Sequence, residues 1–82
     1  MKANLVDKLH EAGMLYYVLG SLTSADSLVD PESCHESLDC LENLKRDFEI
    51  SSLKDDPKLK TFLDDAERII KRDMRDFEKH NR

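Results

Sequence analysis

The chain has 82 residues, of which 38% are charged and 39% hydrophobic, and its net charge is −5 at neutral pH. A chain of this length supports one domain with a modest core, and its composition is too apolar for a disordered chain and too polar for a membrane protein. The longest uncharged segment, residues 12–25, contains two glycines and several hydroxyl residues, so we expect neither a membrane span nor a signal sequence. These properties predict a single helical domain over residues 1–82 with a cytoplasmic location, or a host-cytoplasmic one for a viral or phage source.

The negative charge is concentrated in the middle of the chain. Residues 1–30 hold two basic and four acidic groups, residues 31–50 hold two and six, and residues 51–82 hold nine and eight. Neutralisation of phosphates by Lys and Arg is the main sequence-independent source of affinity for nucleic acid. We therefore do not expect this acidic chain to bind DNA or RNA through its overall field.

Apolar residues in the first part of the chain recur with the α-helical repeat. The spacing predicts a helix over about residues 3–20, with one face formed by Leu5, Leu9, Ala12, Tyr16 and Leu19. The apolar stretch from Met14 to Leu19 is broader than one core-facing stripe needs, so this segment is either central in its own bundle or shared with a second molecule. Gly13 falls inside this predicted helix, at a cost of about 1 kcal/mol relative to alanine.

Two Asp-Pro pairs predict the starts of two further helices, because Asp accepts hydrogen bonds from free helix amides and Pro fits the first turn. Asp30-Pro31 opens a helix over about residues 31–49, and Asp56-Pro57 opens one over about residues 57–79. The polar segment 21–30 is a connector, with room for a short fourth helical turn near residue 25. Together these patterns predict an all-α fold, a small antiparallel three-helix bundle that self-associates.

The second and third predicted helices carry different polar surfaces. The outer face of the second helix is acidic and consists of Glu32, Glu36, Asp39 and Glu42. The third helix has a basic cluster, which consists of Arg68, Lys71, Arg72, Arg75, Lys79 and Arg82. Acidic residues interleave with this cluster, so we interpret it as a solvated face with ion pairs such as Asp64 with Arg68 and Glu67 with Lys71.

No arrangement of residues predicts catalysis or metal binding. Cys34, His35 and Cys40 are potential zinc ligands, but they point in different directions from one straight helix, and structural zinc usually needs four ligands. We expect one buried thiol, Cys34, and one partly exposed thiol, Cys40, with no disulfide between them. His10, His35 and His80 lack an accompanying oxyanion loop, and phosphate-binding glycine motifs are absent, so we expect no enzyme activity, no cofactor and no metal.

The broad apolar surface predicts a protein–protein interaction module that acts as a regulator, inhibitor, adaptor or chaperone. The predicted partner-binding residues are Met14, Leu15, Tyr17, Val18, Met74 and Phe77. The acidic face would steer a basic protein partner or a second copy of the chain. A second hypothesis is an acidic decoy that imitates nucleic acid and blocks a DNA- or RNA-binding protein. Direct binding of nucleic acid, a membrane or a small-molecule substrate is not expected.

Overall fold

The two Asp-Pro pairs each start a long helix. The computed structural model describes residues 4–80, except for the side chain of His80. The carboxylate of Asp30 accepts a hydrogen bond from the Ser33 amide at 2.7 Å, and the Ser33 hydroxyl accepts one from the Asp30 amide at 3.1 Å. This capping box starts α3 (Pro31–Glu49) and satisfies amides that have no partner within the helix.

Asp56 has the same role at the start of α4 (Pro57–His80). Its Oδ1 accepts hydrogen bonds from the amides of Lys58 and Leu59, at 3.0 and 3.2 Å. The bounds of α3 and α4 therefore coincide with the predicted segments to within one residue, because a local capping signal specifies where each helix begins. Ala3, at the start of the first predicted helix, and Arg82, in the basic cluster, lie outside the described residues.

The first predicted helix is two helices, α1 (Leu5–Glu11) and α2 (Leu15–Leu22). Gly13 separates them with a φ of 69°, a left-handed conformation that glycine adopts without steric cost. The amides of Gly13 and Met14 donate to the carbonyls of His10 and Leu9, at 3.0 and 2.9 Å. These two hydrogen bonds form a Schellman motif, which ends α1. The prediction of one helix over residues 3–20 was wrong, and the part of the chain that the structure describes contains four helices rather than three.

The break at Gly13 changes which side chains are buried. Beyond it, the core positions restart at Leu15 and Leu19, so Tyr16 no longer faces the interior and is 50% exposed. Ala12, which shares a face with Tyr16 on a continuous helix, is also exposed. The predicted face is therefore only partly buried: Leu9 and Leu19 pack in or against the core, whereas Leu5, Ala12 and Tyr16 are exposed. The break in the helix resets its 3.6-residue phase.

The connector after α2 contains a single hydrogen-bonded turn. The amides of Ser27 and Leu28 both donate to the carbonyl of Ser24, at 3.0 Å. Leu28 is buried in the core, whereas Val29 beside it is 58% exposed. The short helical turn predicted near residue 25 is present only as this turn, and the fourth helix comes instead from the break at Gly13.

Helices α3 and α4 are antiparallel and form the largest helix pair. Cys34, near the start of α3, lies close to Asp73 in the second half of α4, whereas Lys45 reaches Asp64 and Glu67 nearer the start of α4. Helix α1 packs against α3, and α2 packs against both α3 and α4. The core formed by the described residues consists of Val6, Leu15, Leu19, Leu28, Cys34, Leu41, Leu44, Phe48, Leu59, Leu63, Ala66 and Ile70. The all-α prediction is confirmed.

Lys45 links α3 to α4 at the edge of this core. Its ammonium group lies 3.3 Å from Asp64 and 3.3 Å from Glu67. Burial lowers the pKa of Lys45, but hydrogen bonds to Glu67 and Asp64 and their negative charges outweigh burial, so the pKa lies above its ordinary value of 10.5. Glu67 also pairs with Lys71 at 3.8 Å, as predicted. The predicted pair of Asp64 with Arg68 was wrong, because Asp64 faces Lys45 and Arg68 pairs with Asp65 instead.

Hydrogen bonds attach the start of α1 to the far end of α3. The carboxylate of Asp47 accepts from the Leu5 amide at 2.8 Å, and its carbonyl accepts from the Asn4 side chain at 2.7 Å. The carboxylate of Asp7 accepts from the Ser52 hydroxyl at 2.6 Å. These contacts fix the short helix α1 against the α3–α4 connection, and α2 then continues along the bundle.

Candidate interaction surface

Three large side chains at the start of α2 are exposed to solvent. Met14 is 43% exposed, Tyr16 is 50% exposed and Tyr17 is 69% exposed. Leu15, between them in sequence, is 2% exposed because it points into the core together with Leu19. The 100° rotation per residue then places Tyr17 on the outer side of α2, with Met14 and Tyr16 on its two flanks. We call Met14, Tyr16 and Tyr17 the α2 surface.

Tyr16 connects the α2 surface to α4. Its ring packs edge-on against the ring of Phe62, with the centroids 5.5 Å apart and the ring planes at 67°. This geometry is a favourable one for aromatic pairs. Beside Phe62 lies a shallow groove of about 240 Å³, lined by Thr23, Phe62, Asp65, Ala66 and Ile69. The exposed apolar area therefore extends from α2 across to α4.

The structure does not bring the six predicted partner-binding residues together. Met14 and Tyr17 lie on the α2 surface, but Leu15 is buried in the core and Val18 is half-buried against it. Met74 and Phe77 lie on α4 and also pack partly against the core. They are 12 and 15 residues beyond Phe62, or about 18 to 23 Å along the helix axis. The geometry thus leaves two of the six residues on one continuous surface.

Sequence reasoning missed the part that Tyr16 and Phe62 play in this surface. The helical repeat placed Tyr16 on the core line with Leu9 and Leu19, and it placed Phe62 within the apolar stripe of the last helix. Their contact joins residues far apart in sequence. Only the break at Gly13, which the structure shows, changes the helical phase so that Tyr16 lies outside the core.

The acidic face of α3 is exposed along its whole length. We use the name α3 acidic face for Glu32, Glu36, Asp39 and Glu42, all of which are exposed. None of these four carboxylates forms an ion pair with another of the described residues. Their negative charges are therefore available to an external partner.

The outer side of α4 is basic. We use the name α4 basic face for the four exposed cations that lie opposite the core in the second half of α4, Arg68, Arg72, Arg75 and Lys79. Lys71 is also exposed, but it lies to one side of this row and pairs with Glu67. Arg68 pairs with Asp65 at 2.6 Å, and Arg72 lies 3.4 Å from Asp73. Arg75 and Lys79 have no ion-pair partner among the described residues. Neighbouring carboxylates thus compensate only part of this positive charge.

Cys34 and Cys40 are both free thiols, the first buried and the second half-buried, as predicted. Burial raises the pKa of the Cys34 thiol, and the nearby carboxylates of Asp73 and Asp30 raise it further. Cys34 is therefore a protonated core side chain at neutral pH. Among the described residues, no three His, Cys, Asp or Glu side chains come together in a way that could hold a metal ion.

Comparisons with known proteins give no information about this surface, so its function is inferred from its own residues. No family model, curated protein or solved structure matches the chain. None of the helices in residues 4–80 is both long enough and apolar enough to cross a membrane. The exposed apolar α2 surface and the two charged faces are the features that bear on function.

Proposed function

We propose that this chain is a protein–protein interaction module that binds its partner through the α2 surface. The observation that carries the proposal is the exposure of Tyr17, Tyr16 and Met14 at one end of α2, next to an apolar groove on α4. Single exposed apolar residues are common on monomers, but adjacent ones are typical of binding surfaces. In the cell the module would act as a regulator, inhibitor, adaptor or chaperone.

The chemistry of the α2 surface fits a partner with an apolar helix or loop. Tyr and Met are enriched in protein interfaces, and a Tyr side chain covers a large area at a low cost in conformational entropy. Tyr16 is already held against Phe62, so less freedom is lost when a partner covers it. The groove beside Phe62 accommodates a projecting apolar side chain, while Asp65 at its edge offers a hydrogen-bond acceptor.

The proposal includes two further features. A second copy of the chain can cover the α2 surface in a symmetric dimer, so the proposed partner can be either another protein or the chain itself. We also propose a cytoplasmic location, since the two cysteines are unpaired and a reducing compartment keeps thiols in that state.

A capture experiment with matched variants tests this function. Wild type, Tyr17→Ser and Val29→Ser are used to retain proteins from the native cell, which are identified by mass spectrometry. Val29 is the control because it is similarly exposed but lies on the connector. Loss of an interface tyrosine at a well-packed centre typically costs 2 kcal/mol or more, or about 30-fold in affinity. We expect the retained partner to disappear with Tyr17→Ser alone.

Circular dichroism and light scattering complete this test. They establish that each variant keeps its helical content and show whether the purified protein is monomeric. Equal retention by all three proteins would contradict the proposal, as would a strict monomer that retains nothing.

A second candidate function, the acidic decoy, is favoured by one observation: the α3 acidic face has no neutralising partner among the described residues. A decoy would occupy a basic groove of a DNA- or RNA-binding protein. Changing the four carboxylates together to Gln or Asn should then abolish capture, and moderate salt should do the same. Tyr17→Ser would leave such binding intact, which separates the two functions.

A further inference from the structure

The outer sides of α3 and α4 carry opposite charges over nearly the same length. The α3 acidic face extends over ten residue steps from Glu32 to Glu42, or about 15 Å, and the α4 basic face over eleven from Arg68 to Lys79, or about 17 Å. Within each face, successive charged residues are three or four positions apart. Each face is therefore a straight row of charges along one side of its helix.

The two rows lie at the same end of the molecule. The short connection 50–56 joins α3 to α4, and Lys45 in the second half of α3 contacts Asp64 and Glu67 in the first half of α4. Because the two helices are antiparallel, the first half of α3 therefore lies beside the second half of α4. Both rows are exposed on the sides of their helices that face away from the core. The ion pairs between α3 and α4 instead involve Lys45, Asp64 and Glu67 at the inner edge. The two outer rows thus do not neutralise each other within one molecule.

We propose that the α3 acidic face of one copy docks on the α4 basic face of a second copy. Opposite sign, similar length and similar spacing make the second copy a complementary occupant for each row. The two rows are different surfaces of the molecule, so the contact is heterologous, and association continues into chains or closes into a ring. Helices α1 and α2 take no part, so this contact goes beyond the proposed function and leaves the α2 surface free in every copy.

Salt concentration should control this association. Individual exposed ion pairs are weak, and the Debye length falls from about 30 Å at 0.01 M salt to about 3 Å at 1 M. We therefore expect the mean mass of wild type to rise above that of the monomer with concentration at 0.01 M salt. At 1 M salt it should return to the 9.5 kDa of the monomer.

Charge-reversal variants of the full chain test the pairing by sedimentation velocity. Glu36→Lys with Asp39→Lys reverses the centre of the acidic row, and Arg72→Glu with Arg75→Glu reverses the centre of the basic row. Each double variant should be monomeric alone at 0.01 M salt. An equimolar mixture should associate, because each reversed row then faces a row of opposite charge. Helical content measured by circular dichroism shows that both variants are folded.

A control separates the pairing from the effect of net charge. Asp26→Lys with Asp55→Lys changes the net charge by the same amount as the acidic-row variant, but it alters exposed residues on the α2–α3 and α3–α4 connections. This control should associate like wild type, and so should Tyr17→Ser, whose behaviour tests the α2 surface separately.

Several results would overturn the proposal. These are a wild type that is monomeric at 0.01 M salt, reversal variants that associate unchanged, or a mixture that shows no rescue. Association that Tyr17→Ser abolishes and the reversals do not would assign the contact between copies to the α2 surface. A monomeric wild type that shifts labelled RNA would assign the basic row to nucleic acid.

Discussion

Replacing Gly13 with alanine tests the break between α1 and α2 directly. Gly13 has a φ of 69°, and a Cβ atom built on it meets no other atom within 4 Å. The cost of alanine is therefore conformational rather than steric. An L-residue in the left-handed region costs about 1 to 2 kcal/mol, and the lower entropy of the unfolded chain offsets about 0.4 to 1 kcal/mol of it. We expect Gly13→Ala to lower the free energy of unfolding by about 1 kcal/mol.

Gly20 provides a matched control within the same segment. It lies inside α2 with an ordinary helical φ, and a Cβ atom there is also free of contacts. Alanine is favoured over glycine in a helix by about 1 kcal/mol, so Gly20→Ala should raise the free energy of unfolding by that amount. The same glycine-to-alanine substitution, made at two positions seven residues apart, is thus expected to change the free energy of unfolding in opposite directions.

Urea unfolding followed by circular dichroism measures both effects. With a slope of about 1 kcal/mol per molar urea for a small domain, the midpoint should fall by about 1 M for Gly13→Ala and rise by about 1 M for Gly20→Ala. Gly13→Asn should lose less stability than Gly13→Ala, because Asn tolerates the left-handed region. If both alanine variants raise the midpoint, the helix runs unbroken through residue 13 and the two-helix description is refuted.

Three further predictions concern the core, the α3–α4 link and the cap of α3. A thiol reagent at neutral pH should modify Cys40 within minutes and Cys34 only as the protein unfolds, since Cys34 is buried with a raised pKa; mass spectrometry of timed samples shows the order. Lys45→Met should lower the free energy of unfolding by about 1 kcal/mol at pH 7. Because pairing raises the pKa of Lys45 above 10.5, its contribution is present at neutral pH and is lost as pH rises through the higher folded pKa, so the wild-type advantage in urea melts should shrink there. Asp30→Ala should cost about 1 kcal/mol, while Asp30→Asn, which keeps an accepting oxygen, should cost less; equal losses in thermal melts would argue against capping.

The features predicted correctly from the sequence are those encoded by neighbouring residues. Asp30-Pro31 and Asp56-Pro57 combine a capping carboxylate with a fixed φ, and both signals act within one helical turn. The burial of Cys34 followed from its place on an apolar stripe of a single uninterrupted helix. In each case the feature is determined by neighbouring residues or by the helical repeat, and both can be read directly from the sequence.

The break at Gly13 could not be derived from the same rules. The apolar repeat runs through residues 5–19 without interruption, and one internal glycine is a tolerable cost in a helix. What favours the break is tertiary: Asp47 and Asp7 hold the start of α1 against the end of α3, while Leu15 and Leu19 enter the core from a different direction. A local sequence pattern does not show contacts between residues that are more than forty positions apart.

The candidate surface was only partly predictable for the same reason. Met14 and Tyr17 stood out because the apolar stretch is too broad for one stripe, and both are exposed. Leu15, Met74 and Phe77 have similar chemistry, but their burial depends on how the helices are oriented, which periodicity alone does not specify. The division of charge between α3 and α4 was visible in the sequence, whereas their position at the same end required the antiparallel pairing.

Because of the turn at Gly13, the orientation of α2 does not depend on the exact number of residues that precede it. In an unbroken helix, inserting or deleting one residue rotates everything beyond it by about 100°, which would carry Tyr17 from the outside toward the interior. Here the residues between Glu11 and Leu15 can absorb such a change, since neither neighbouring helix sets the rotation of the other. The connection between α1 and α2 is thus the place where length variation should be tolerated without reorienting the tyrosines.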